Sequence, residues 1–322
     1  MAILRAVLRQ TPLHEGWSFI RTEQEGRKAG FSTVEWLPAQ VPGHVHLDLV
    51  ANGVIADPLT KMHELGAQWV DREDWSYRTT FEWSPDPALP RRVLRFDGLD
   101  TVAKISLNGE AVGASDNMFV AQEFDVTDRL REGTNELRVD FLSAVVTGER
   151  RREAYFAREG MEIEGAERFD ERAFVRKAQY QFGWDWGPRV VSCGIWRPVH
   201  LVEYAARILD VRVTHEEGED GWIVRVETEI EGEGKPLHLL EGLPEGPDGL
   251  SPYLSGDGEV EVPYGSFPRW SPEAPVTFTV STVLSRDGES IDHRETVSGF
   301  VTTRLLRERD EFGESFEFEV NG

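Results

Sequence analysis

Cysteine is nearly missing from this chain: Cys193 stands alone among 322 residues. A lone cysteine rules out an internal disulfide, so nothing in the sequence asks for an oxidising compartment. Between Ser192 and Gly194 in an apolar, strand-like run, it reads as a small core residue rather than a reactive thiol. Long apolar runs are missing too, and none approaches the roughly 20 residues that a membrane-crossing helix needs. The first residues, Met1 to Arg9, have their apolar run broken by Arg5 and Arg9 and carry no small-residue cleavage site, so they do not read as a secretory signal. The expectation is a cytoplasmic protein with no membrane partner. Positive charge is short as well, 35 Lys and Arg against 58 Asp and Glu, for a net charge of −23. A surface of that sign repels phosphates, which excludes nucleic acid as a partner.

Chemistry-bearing motifs are also scarce. The sequence has no Gly-x-Ser-x-Gly elbow, no Gly-rich phosphate loop and no Cys-His arrangement at a recognisable spacing. His44, His46 and His63 invite a metal reading, but no cysteine joins them and no His-Glu-x-x-His spacing occurs. No metal and no cofactor is therefore expected.

What the chain does have is apolar and aromatic residues in alternation. With 39% hydrophobic residues, 10 Trp and 17 Phe, 322 residues suffice for two domains with cores of their own. Trp17-Ser18-Phe19 reads as a first strand, and His46 to Val50 as one or two helical turns. From residue 77 the period is two: Tyr77, Thr79, Phe81 and Trp83 share a face, Leu94 and Phe96 follow, and Ala103, Ile105 and Leu107 lead into the hairpin signal Asn108-Gly109. Phe124-Asp125-Val126 is expected to pair with the strand of Leu137, Val139 and Phe141 across the polar turn 131–135. Thr147 to Tyr180, headed by Arg150-Arg151-Arg152-Glu153, is charged and reads as a solvated helix or surface loop that walls one side of a pocket. Alternation resumes with Leu209, Val211 and Val213, then Trp222 to Thr228, then Val276 to Thr282 before Asp287-Gly288; Gly242 to Pro252 reads as an exposed loop. The pattern predicts an all-β chain: a jelly-roll β-sandwich over residues 1–205, then an immunoglobulin-like β-sandwich over 206–310. Phe316 to Val320 is one more alternating strand, ending on the turn signal Asn321-Gly322 with no partner strand after it.

The densest stretch is Phe182-Gly183-Trp184-Asp185-Trp186-Gly187-Pro188. Glycines let the backbone bend around two tryptophans and one aspartate. Flat aromatic faces beside a fixed acceptor suit a sugar ring, with C–H groups to stack and hydroxyls to bind. Alternatively, the tryptophans finish a sandwich core and Asp185 caps a turn. With Arg176-Lys177-Ala178 before it, this stretch resembles the signature of the β-mannosidase branch of family 2 glycoside hydrolases. Val41 to Leu49, Asp57-Pro58, Asp74 to Arg78, Phe96 to Thr101, Leu107-Asn108-Gly109 and Asp116-Asn117-Met118-Phe119 fall in the same family's order.

That resemblance implies a sugar-binding first domain, an immunoglobulin-like second one, and a catalytic (β/α)8 barrel of which residues 311–322 are the start. It implies a substrate-binding role for Asp185, with Trp184 beside it. Arg176 is a weaker candidate, to orient Asp185, to meet the sugar or to form a surface ion pair; Asn117 supplies an amide near the same pocket or a plain turn. Retaining glycoside hydrolysis needs two carboxyl groups about 5 Å apart, and nothing in the sequence fixes such a pair, so no catalytic residue is assigned. The expected chain is a non-catalytic N-terminal region that contributes recognition of a mannoside or manno-oligosaccharide to a missing C-terminal barrel. The alternatives are a free-standing carbohydrate-binding module and a β-sandwich interaction protein.

Overall fold

The computed structural model describes residues 8–22, 35–159, 170–245 and 252–322. These divide into two compact units, Arg9–Glu203 and Tyr204–Gly322, the second including Leu8. Both are β-sandwiches, as the alternation predicts.

In the first unit the strands are β1 (Leu8–Pro12), β2 (Ser18–Thr22), β3 (Leu37–Pro38), β4 (Asp74–Trp83), β5 (Arg91–Phe96), β6 (Val102–Leu107), β7 (Glu110–Ser115), β8 (Gln122–Asp125), β9 (Gly133–Leu142) and β10 (Val199–Tyr204). One sheet has the order β3-β2-β4-β9-β6-β7 and the other β1-β10-β5-β8. Their inward residues, among them Phe19, Trp75, Tyr77, Leu94, Phe96, Ile105, Val139 and Phe141, form one buried cluster. Asn108 and Gly109 take φ of 54° and 83° at the β6–β7 turn, the left-handed pair that an Asn-Gly hairpin requires.

One expected pairing is corrected. β8 pairs with β5, Leu94 opposite Phe124, in one sheet, while β9 lies between β4 and β6 in the other. The chain crosses between sheets at this point. The Val126 amide donates to the Arg92 carbonyl at 3.0 Å, holding the segment on β5, before Gly133 with φ 93° starts β9.

Helices are few: α1 (Val45–Ala51), α2 (His63–Ala67) and α3 (Ala144–Glu159). His46 to Val50, expected as one or two helical turns, lie in α1, and His44 is the extended residue that precedes it. The charged stretch after β9 is helical up to Glu159, and part of it lies outside the described residues. α3 sits close to the following segment because residue 148 is glycine: a Cβ there would stand 2.4 Å from the Glu171 carbonyl oxygen.

The second unit has β11 (Arg207–Glu217), β12 (Gly221–Glu231), β13 (Lys235–Glu241), β14 (Tyr253–Ser255), β15 (Gly258–Pro263), β16 (Phe278–Arg286) and β17 (Glu289–Ser298), followed by β18 (Thr303–Leu306) and β19 (Glu317–Val320). Sheets β11-β12-β15 and β14-β13-β16-β17 close on a core that includes Trp222 stacked on Phe300, ring centroids 5.1 Å apart. Seven strands in two sheets are the immunoglobulin-like arrangement. The Gly242–Pro252 loop lies largely outside the described residues. A second correction concerns the end of the chain: β19 is not without a partner but pairs antiparallel with the earlier β18.

Candidate functional site

The signature stretch is an excursion from the first sandwich, built from its base upward. At the base, the Val190 amide donates to the Gln181 carbonyl at 2.9 Å. At the tip, the Trp184 amide donates to the Gly187 carbonyl at 3.1 Å and the Gly187 amide to the Trp184 carbonyl at 3.3 Å. This reciprocal pair leaves Asp185 and Trp186 as the two central residues of a tight turn. Gly183, with φ 86°, lets the chain enter it, and a Cβ there would press on the Arg189 Cβ at 3.0 Å.

The aromatic side chains do not finish a core. Trp184 is 60% exposed and Trp186 82%. Asp185 is exposed and has no hydrogen-bond or ion-pair partner among the described residues. Tryptophans at such exposure beside a carboxylate with open acceptor sites form a surface that lacks its counterpart.

Beneath this exposed tip lies a buried polar base that sequence reasoning missed. The Lys177 ammonium donates to Asp100 Oδ1 at 2.5 Å and to the Ser192 carbonyl at 2.6 Å, and both ionic side chains are fully buried. Gln181 Nε2 donates to the other oxygen of Asp100 at 2.9 Å, and Gln181 Oε1 accepts from the Ser192 amide at 2.9 Å. The Thr101 hydroxyl also donates to Asp100, and the Ser192 hydroxyl bonds His46 Nδ1 at 2.9 Å. Burial pushes the Lys177 ammonium below its ordinary pKa, and the Asp100 carboxylate opposes that. The network ties both feet of the excursion, residues 177–181 and 190–192, to the core. Reciprocal backbone bonds between Asp100 and Gly194, each 2.9 Å, complete the anchorage. A buried charge must be paired and hydrogen-bonded throughout to be tolerated, and this one is. Val175 and Lys177 are buried and Arg176 between them is exposed, but no feature of the sequence marks Lys177 as an inward residue.

The far foot is held separately. Arg189 forms an ion pair with Asp71, bonds Gln68 Oε1 at 2.8 Å and reaches Glu171 at 3.3 Å, while Gln68 Nε2 donates back to the Arg189 carbonyl at 2.8 Å.

The other two candidates fall together, and among the described residues neither is bonded to Asp185. Asn117 and Arg176 form a bridge between extended segments, and the Met118 amide donates to the Arg176 carbonyl at 3.1 Å. The Arg176 guanidinium pairs with Asp116 at 3.1 Å, with both side chains largely exposed, so of its three expected roles the one visible is a surface ion pair. Asp116 also receives Arg151 of α3 at 3.4 Å, so that arginine is not merely solvated. Asn117 Oδ1 accepts the Phe119 amide at 3.0 Å, which is a turn role. Among the described residues no three His, Cys, Asp or Glu side chains gather as a metal-holding set.

Fold and turn together define a chain of two β-sandwiches, the first of which carries an exposed Trp-Asp-Trp turn. Residues 17–197 match the glycosyl hydrolase 2 galactose-binding domain-like family, more than half of the chain, and the chain belongs to that family. It is also similar to Beta-mannosidase B of Aspergillus terreus, 34% identical over 324 residues, which covers 97% of this chain and 37% of the relative. A β-D-mannosidase structure from Dictyoglomus thermophilum superposes with a TM-score of 0.73 at 33% identity, over 97% of this chain and 39% of that one. A β-glycosidase from Bacteroides vulgatus, at 18% identity and TM-score 0.58 over 98% of this chain and 36% of that one, shares the fold. The resemblance read from the signature residues is thus borne out. The chain spans under two fifths of the length of these relatives.

Proposed function

We propose that this chain is the N-terminal, non-catalytic region of a β-mannosidase-like retaining glycoside hydrolase, and that the turn Trp184–Gly187 contributes substrate recognition to an active site whose catalytic carboxylates lie in a further domain. The observation that carries the reading is the contrast at the turn. Asp185, Trp184 and Trp186 are exposed, yet the base that holds them is tied by a fully buried Lys177–Asp100 ion pair and by Gln181. Exposed recognition groups on a pre-organised support are what a composite site requires of the domain that does not carry the chemistry. In this reading Asp185 accepts hydrogen bonds from substrate hydroxyls and a tryptophan face packs against the ring, with a mannoside as ligand.

The test compares this 322-residue chain with the longer protein encoded by its gene. Aryl β-mannoside hydrolysis is expected from the longer protein and none from the chain. Hydrogen bonds to a charged group contribute about 1.5–3 kcal/mol, so Asp185→Ala in the longer protein is expected to lower kcat/KM about 10- to 150-fold. Turnover by the 322-residue chain itself would refute the reading. Saturable mannoside binding to the chain alone, lost in Trp184→Ala, would favour the free-standing binding module instead.

A further inference from the structure

A groove of about 580 Å³ opens in the first unit beside α2, and none of its lining residues belongs to the Trp184–Gly187 turn or to the base beneath it. Its volume lies within the range of small-molecule sites. The segment that builds it turns back at Asp57, whose carbonyl accepts the Thr60 amide at 3.1 Å and the Thr60 hydroxyl at 3.0 Å, and then runs through α2 and one short helical turn, Val70–Arg72. Ile55, Met62 and Trp69 supply apolar surface; Arg21 of β2, His63 and Glu73 supply polar groups. Trp69 is fixed in place, packed on the core with its ring centroid 6.0 Å from that of Trp75. The segment has two separate tasks: Gln68 and Asp71 hold Arg189, whereas Trp69 and Glu73 line the groove.

Three polar groups of the groove keep bonding capacity among the described residues. The Trp69 indole N–H has no acceptor, while that of Trp75 donates to the Val70 carbonyl at 3.1 Å. The Glu73 carboxylate receives no hydrogen bond, and its ion pair with Arg21 is loose, at 3.9 Å, although both side chains are largely buried. The Thr60 hydroxyl donates to Asp57, so the 3.1 Å bond between Thr60 Oγ1 and His63 Nδ1 is donated by the imidazole, which leaves Nε2 as an acceptor. One donor and two acceptors thus border an apolar wall, and the charges of Arg21 and Glu73 sum to zero. An ion would find no net charge here, and a hydrocarbon would strand the polar groups without partners. A ring with C–H groups on its faces and hydroxyls at its edge satisfies both sides. We propose that this groove binds the pyranose ring of a neutral sugar, its C–H groups against Ile55, Met62 and Trp69 and its hydroxyls on Glu73, His63 and the indole N–H. The site is additional to the Trp184–Gly187 turn and independent of the hydrolase reading.

A nuclear magnetic resonance titration of the isotope-labelled 322-residue chain tests it, with mannobiose, cellobiose and lactose as probes. The signal followed is the Trp69 indole N–H, which Trp69→Phe identifies by its loss. At least one disaccharide is expected to shift it saturably, with half-saturation at about 1–10 mM, as suits an open groove. Glu73→Gln removes the charged acceptor and is expected to weaken binding at least about 10-fold. Met62→Arg, at a position 66% exposed on the rim where the fold is not at stake, is expected to weaken it as well. Trp184→Ala is expected to leave it unchanged. No shift with any of the three sugars at about 50 mM overturns the proposal. So does full binding retained in both Glu73→Gln and Met62→Arg, and so does a shift that Trp184→Ala abolishes, which places the sugar at the exposed turn. An equal response to cyclohexanol also overturns it, because the groove would then be an apolar slot that ignores hydroxyls.

Discussion

Replacing Lys177 by methionine tests the claim that a buried ion pair holds the Trp184–Gly187 turn. Methionine keeps most of the volume and removes the charge, so Asp100 is left as a carboxylate without its cation. The Thr101 hydroxyl and the Gln181 amide still bond it, and the Ser192 carbonyl loses the ammonium that reached it at 2.6 Å. Breaking one side of a buried pair costs about 3–5 kcal/mol, because the remaining charge is desolvated and uncompensated. In a unit of this size each kcal/mol lowers the melting temperature by about 2–4 °C, so calorimetry is expected to show a fall of about 6–20 °C. Asp100→Asn closes a double-mutant cycle, since asparagine still offers an acceptor to Gln181. The pair is expected to show a coupling energy of at least about 2 kcal/mol, the double variant losing less than the sum of the singles. A Lys177→Met loss below about 1 kcal/mol, or additive singles, would mean that the pair is incidental and that backbone bonds alone position the turn.

Two buried groups on α1 should give opposite pH responses. Desolvation pushes His46 down to about 4, helped by His44 and Lys177, so the stability lost as pH falls from about 6.5 to 4 is about 3 kcal/mol. Burial raises Asp48 to about 6 against its bonds from the Gln40 amide and the Tyr77 hydroxyl, so its contribution, complete below its ordinary carboxylate pKa, is lost as pH rises through about 6, again by about 3 kcal/mol. The two nearly cancel: Asp48→Asn is expected to expose acid destabilisation between pH 6.5 and 4, and His46→Gln the reverse, both read by denaturant titration at several pH values; unchanged profiles would refute the assignment. Gly183→Ala must hold alanine at φ 86° against Arg189 and should cost about 1–3 kcal/mol, with faster amide exchange at Gly187 as the local sign. Gly113→Val puts its Cβ 2.1 Å from the Phe124 ring, which already packs edge-on against Phe96; a loss of about 1–3 kcal/mol by thermal melting is expected.

How far the sequence can be read depends on whether a feature's cause is local. The hairpin turns at Asn108-Gly109 and Asp287-Gly288 were legible because a left-handed backbone selects those residues wherever it occurs, and both pairs adopt it. Alternation found the strands but failed at Leu209. A bulge between Ile208 and Asp210 turns Ile208 and Val211 inward and leaves Leu209 exposed, and no single-residue property marks the slip. Alternation also carries no record of which strand pairs with which, so β8 was matched to its neighbour in sequence and not to β5.

The Trp184–Gly187 turn shows the same division within one stretch. Its tip was legible because glycines and a carboxylate between tryptophans state their requirement within a few residues. Its base was not, because the residues that fix it meet only in the folded chain: Lys177 and Asp100 lie 77 positions apart. A lysine followed by alanine gives no sign that its ammonium is buried. Taken as a lone motif, Trp184 and Asp185 therefore account for an exposed surface but not for its geometry. The exposed residues form the surface and the buried ones decide where it stands. If Asp185 acts as proposed, substitution at Lys177 or Gln181 should disturb recognition without touching the ligand, an effect that the cycle with Asp100 can separate from direct loss of the carboxylate.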